Sequence, residues 1–146
     1  MKKIIIAVAL ILMSTAYVFA NNREIDPKVV NTFKEKFTGA TDASWIERTD
    51  FYEVSFTFQD KKLFAFYSKS SQLICVIRHI LSSELPAALL KDIKSTYSKY
   101  WITELFELTN EDQTGYFITL QNADAKFILN SNEQNNWELF RTYKNL

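Results

Sequence analysis

One cysteine, one histidine, two glycines and two prolines in 146 residues leave this chain short of the usual materials for a chemical site. A single cysteine cannot close an internal disulfide, so stability must come from buried side chains. Nucleophilic catalysis by a Ser-His-Asp or Cys-His arrangement needs a histidine at the nucleophile. The one histidine, His79, and the one cysteine, Cys75, lie four apart on a strand-like run. They would share a face roughly 13 Å apart, too far for proton transfer. No His/Cys cluster suits a metal, and the acidic turn at 110–113 lacks the spacing and central glycine of a calcium loop. Two glycines far apart exclude a phosphate-cradling loop. Glu104 and Glu107 fall on opposite faces of a strand, which removes them as an acid/base pair. No catalytic residue, cofactor or metal is expected, and the chain reads as a non-enzyme.

What the chain has is aromatic residues, 12 Phe, 7 Tyr and 3 Trp, enough apolar area for a core. Basic and acidic residues balance at 17 each, which argues against nucleic acid as a partner. The first 20 residues read as a secretory signal: Lys2 and Lys3, an apolar run over 4–13, and Val18-Phe19-Ala20 as the cleavage site. The apolar run is shorter than the roughly 20 residues a spanning helix requires. Cleavage after Ala20 would leave no membrane anchor and a single mature domain over 21–146, in the periplasm.

Asp26-Pro27 starts a helix, with Asp as N-cap and Pro at its first position, and Gly39 stops it. Val30, Phe33 and Phe37 give that helix, near 27–37, an apolar stripe. Four strand-like runs follow at 43–48, 51–58, 63–67 and 72–78, the second alternating Tyr52, Val54 and Phe56 with Glu53, Ser55 and Thr57. A second helical segment spans 82–100, with Leu89, Ile93 and Tyr97 as its stripe and Pro86 near its start; its helix is expected near 86–97. Strand-like runs return at 101–108, 115–121, 125–130 and 136–143. Short connections call for antiparallel neighbours.

The order helix, four strands, helix, four strands is a tandem repeat of about 60 residues, with copies near 26–81 and 82–146. Tyr52/Val54/Phe56 overlays Tyr116/Ile118/Leu120, and Ala65-x-Tyr67 overlays Phe127-x-Leu129. The pattern also resembles a known family. Its marks are Phe37-Thr38-Gly39-Ala40, Ala43-Ser44-Trp45, Tyr52-x-Val54-x-Phe56, Ala65-x-Tyr67 before a polar turn, Glu84-Leu85-Pro86 and Tyr97-x-x-Tyr100. Their order is similar to that of the PepSY-like, or beta-lactamase-inhibitor-like, secreted periplasmic proteins. The chain departs from that family in having Ser68–Ser71 where glycine is usual and Leu73 where tryptophan is frequent. The resemblance implies an α+β fold: two helix-plus-four-strand repeats sharing one antiparallel sheet, both helices on one face. It implies no activity.

One feature suggests function. If Leu63, Ala65, Tyr67, Leu73, Cys75 and Ile77 face the helix, strict alternation places Phe64, Phe66, Ile74 and Val76 on the other face, where a solvated sheet should be polar. These four are the candidate partner-binding residues, an apolar patch for an unidentified periplasmic or envelope protein or for a second copy of the chain. A loop or the chain terminus would be the bland cover. The expected function is a non-catalytic protein-binding or inhibitor-like module using its open sheet face. The alternative is a carrier holding a small apolar ligand on a concave sheet, which requires an enclosed cavity.

Overall fold

The computed structural model describes residues 25–111 and 113–144; the expected signal segment at 1–20 lies outside them. The elements run α1 (Pro27–Lys36), β1 (Thr41–Glu47), β2 (Phe51–Phe58), β3 (Lys61–Ser68), β4 (Leu73–His79), α2 (Ala87–Thr96), β5 (Trp101–Thr109), β6 (Thr114–Gln121), β7 (Ala125–Ser131) and β8 (Trp137–Lys144). The strands follow one another in sequence order in one eight-stranded sheet, and the registered pairs are antiparallel. The expected fold class is the observed one. Two compact units divide between Val76 and Ile77.

In the first unit the Asp26 carboxylate accepts from the Lys28 amide at 2.8 Å, capping α1, and Pro27 fills its first position. Gly39 takes the left-handed conformation past the helix end, at φ +88°. Val29, Phe33 and Phe37 are buried over Val54, Phe56, Ala65 and Tyr67. Val29 therefore sits at the centre of the stripe, and Val30, expected there, packs at its margin. The Phe56 ring lies 4.9 Å from Phe33 and 4.7 Å from Phe37, a fully buried side chain contributing about 1.5–3 kcal/mol.

In the second unit Leu89 and Ile93 of α2 are buried over Leu105, Ile118, Leu120 and Leu129, with Tyr97 at the margin. The indole Nε1 of Trp137 donates to the Leu89 carbonyl at 3.1 Å, tying β8 to α2. Within the helical segment expected over 82–100, the helix expected near 86–97 runs over Ala87–Thr96, and the turn before it is separate. Pro86 disfavours helical geometry at the residue before it, and Leu85 is extended at ψ 147°. A single 3₁₀ turn, Ser82–Glu84, precedes the break and α2 starts beyond it.

The repeat extends to turn chemistry. Ser68 N donates to Gln72 O at 2.8 Å and Ser71 N to Ser68 O at 2.9 Å, with Ser71 at φ 65°. Sixty-four residues on, Asn132 N donates to Asn136 O at 2.9 Å and Asn135 N to Asn132 O at 3.1 Å, with Asn135 at φ 55°. The side-chain oxygens of Ser68 and Asn132 play one role, accepting from the amides of Gln72 and Asn136 at 3.1 and 2.9 Å. A type I turn closed by a left-handed residue needs this geometry, and serine and asparagine supply it where glycine is scarce.

Candidate interaction surface

The four residues expected as an apolar patch do not form one. Phe66 is fully buried, Phe64 and Ile74 are half-buried, and Val76 packs against the cluster beneath α1. Leu73 packs against that same cluster although it stands three residues from Val76, so counting by twos fails along β4. The face expected to be wet is closed at its centre. Glu53 is only 8% exposed and lies directly across from Phe66, its carboxylate 3.2 Å from the Arg48 guanidinium. Phe51 covers Phe66 from the side, ring centroids 5.8 Å apart. Consecutive residues are buried in β2 (Phe51 to Val54), β3 (Ala65 to Tyr67) and β6 (Phe117 to Leu120). These strand centres are buried on both faces, a condition in which alternation no longer separates core from surface.

The groups with chemical potential stay apart. Cys75 is buried, which pushes its thiol up to about 12, while His79 is exposed beside the Phe106 ring. Glu104 and Glu107 face opposite ways from β5. The Thr119 hydroxyl bonds Glu104 at 3.2 Å, and the Arg78 guanidinium holds Glu107 through Nε at 2.8 Å and Nη2 at 3.1 Å. Arg78 Nη1 also reaches Glu84 at 2.8 Å, and these bonds raise the guanidinium above its usual range. Next to the expected acidic turn, the Asn110 side-chain oxygen accepts from the Gln113 amide at 2.9 Å, and the Asn110 amide donates to the Gln113 carbonyl at 3.0 Å. Among the described residues no group of three or more His, Cys, Asp or Glu could hold a metal, and no helix is long and apolar enough to cross a membrane. A groove of about 420 Å³ runs along α2, lined by Ala87, Leu90, Lys91, Lys94 and Ser95. All of these but Leu90 are exposed, so the groove is not the enclosed cavity a carrier needs.

The second unit carries a surface that alternation alone did not locate. Leu120 and Phe127 pack on the α2 side, so their neighbours Gln121 and Lys126 face away from it. Trp101 pairs with Gln121, Gln121 with Lys126, and Lys126 with Tyr143. These four side chains form one row across β5, β6, β7 and β8, about 14 Å from end to end at the usual strand spacing. The next row is Glu104, Thr119, Ile128 and Arg141, and the third is Phe106, Phe117, Asn130 and, from β8, Glu138. Bulges after Ile102 and at Phe140 set these rows, because each inserts one residue and so reverses the faces of the residues beyond it. Phe106 and Phe117 stack at 5.2 Å and 7°, and Phe140 meets Phe117 edge-on at 5.5 Å. Thr119 and Ile128 of the second row and Phe106 and Phe117 of the third are buried, whereas Arg141 and Glu138 on β8 are exposed and Trp101 is 53% exposed. The ammonium of Lys126 lies 6.0 Å from the Tyr143 ring centroid, and the Arg141 guanidinium 5.6 Å from it.

No family model matches this chain, and no curated protein does. Solved structures do. A BLIP-like protein from Bacteroides fragilis aligns with TM-score 0.70 and 16% identity over 90% of this chain and 92% of its own. A DUF2874 family protein from Bacteroides ovatus aligns with TM-score 0.72 and 16% identity over 84% and 89%. A protein from Bacteroides eggerthii, provisionally described as periplasmic, aligns with TM-score 0.71 and 13% identity over 84% and 90%. At these identities the likeness shows the fold, which is BLIP-like. None of the three carries the PepSY name.

Proposed function

We propose that this chain is a non-catalytic protein-docking module of the periplasm, a PepSY-like relative of the BLIP-like proteins, which binds its partner on the sheet face turned away from α2. The observation that carries the reading is the row Trp101–Gln121–Lys126–Tyr143, with a half-exposed indole at one end and a cation-flanked phenol at the other. Tryptophan, tyrosine and arginine are the residues that most often dominate binding energy at protein interfaces, because each combines a large apolar body with a polar handle. The row that adjoins this one holds buried Thr119 and Ile128, and the buried, stacked Phe106 and Phe117 follow one row further on, so the strands that carry it are packed and little ordering entropy is lost on docking. The neighbours support the location and the absence of an enzymatic role: one is provisionally periplasmic, and none is named for an activity.

The test is comparative affinity capture from a periplasmic extract, using the exported chain beside Trp101→Ala and Tyr143→Ala. Proteins held by the parent and lost from both variants, at unchanged melting temperature, support the reading. Identical capture by all three overturns it.

A further inference from the structure

We infer that the partner presents an acidic segment to this row, seated on Lys126 and Arg141; this rests on the docking reading above. Among the described residues the ion pairs use Arg48, Lys69 and Arg78, and neither Lys126 nor Arg141 has a carboxylate partner. Carboxylates nearby on the same face are engaged otherwise: Glu104 accepts from Thr119 at 3.2 Å and Glu138 from the Asn132 amide at 2.7 Å. Lys126 is instead half-buried on the sheet, its charge directed over the Tyr143 ring. Arg141 stands in the adjacent row, and its Nη1 donates to the Tyr143 hydroxyl at 3.4 Å. Two cations, a phenol and the Gln121 amide thus converge on one face, with Trp101 beside them.

Lys126, half-buried and without a counter-charge, pairs more strongly with an incoming carboxylate than a solvated lysine does, because less water must be displaced and the local dielectric is lower; Arg141, exposed in the next row, adds a planar donor fork suited to a carboxylate. The lysines of the α2 groove, Lys91 and Lys94, are exposed by contrast. A protein segment fits better than a free polyanion because β8 is the terminal strand of the sheet. Its outer edge offers main-chain donors and acceptors to an extended chain, next to the cations that would receive the acidic side chains.

A labelled octapeptide alternating glutamate with valine, titrated against the exported chain, tests this by fluorescence anisotropy. A lysine-valine peptide and soluble polyglucuronate serve as comparison probes. We expect the glutamate peptide alone to bind saturably and to weaken at least tenfold in the Lys126→Gln/Arg141→Gln variant. Lys91→Gln/Lys94→Gln should leave its affinity within twofold, and 500 mM salt should weaken it. Single Lys126→Gln and Arg141→Gln variants, each weakened severalfold, keep the test valid if the double variant melts early. No binding, equal binding of polyglucuronate, or an equal loss in the α2 variant overturns the acidic-segment inference. Those results leave the docking reading to the Trp101 and Tyr143 capture comparison, so the two can fail separately.

Discussion

Glu53 and Phe66 are direct cross-strand partners on β2 and β3, and both are buried. The pairing explains why a sheet face with polar residues is nevertheless closed: Glu53 is turned onto Arg48, and the ring beside it is covered by Phe51. Replacing Phe66 by Ser should destabilise the protein by roughly 3–5 kcal/mol, the range for truncating a buried Phe. Phe64→Ser, at a half-buried site, should be milder. Denaturant unfolding of the two single variants measures the difference, and equal small losses would show that Phe66 is accessible.

Turns built without glycine leave room for improvement. Gln59 and Asp60 both take left-handed geometry, at φ 51° and 60°, between the paired Phe58 and Lys61. That is the two-residue turn for which Asn-Gly is best suited. Changing Gln59-Asp60 to Asn-Gly should raise stability by about 1 kcal/mol, and Ser71→Asn should act in the same direction, matching Asn135 in the second repeat. Thermal melts showing no gain in either variant would contradict the turn geometry.

Arg78 joins Glu84 in the 3₁₀ turn to Glu107 on β5, and its side chain is 24% exposed. Arg78→Ala should destabilise by about 1–3 kcal/mol by removing charge-assisted bonds. Arg78→Lys should recover little, because an ammonium cannot make the two parallel bonds to Glu107. Full recovery by lysine in a denaturant titration would mean that only net charge matters.

Alkaline pH should weaken the fold. Burial pushes the Cys75 thiol from an ordinary value of 9 up to about 12 and raises Tyr67 above its ordinary range. Each group is favoured neutral in the folded state, so its contribution is complete below about pH 9 and is lost progressively as pH rises through 12. Cys75→Ala should flatten the fall in unfolding free energy across that window. Among the described residues the buried Tyr67 hydroxyl has no hydrogen-bond partner, and Tyr67→Phe should be neutral or stabilising by about 1 kcal/mol. An unchanged alkaline slope in Cys75→Ala, or a marked loss in Tyr67→Phe, would contradict these assignments.

Much of the fold was legible because local signals agreed. Asp26-Pro27 and Gly39 bracket α1, Tyr52/Val54/Phe56 and Tyr116/Ile118/Leu120 mark the central strands, and polar turns separate the rest. The surface was far less so. Trp101 and Lys126 come onto one face through the bulge after Ile102, and Arg141 and Tyr143 join it through the bulge at Phe140. An inserted residue reverses every later assignment made by counting twos, and composition carries no mark of it. The misplaced Val76 and the buried Phe66 have a related cause: where both strand faces are apolar, alternation has no contrast to report. The one sequence hint of the proposed surface was Lys126, a cation next to the apolar Phe127–Leu129 stretch.

Backbone amide and indole chemical shifts of the ¹⁵N-labelled chain, recorded as the captured partner is added, test the central claim most directly. The account predicts that Trp101, Gln121, Lys126, Arg141 and Tyr143 shift together while Ala87, Leu90, Lys91 and Ser95 on α2 stay in place. Shifts centred on the α2 groove, with the Trp101 indole unmoved, would contradict it.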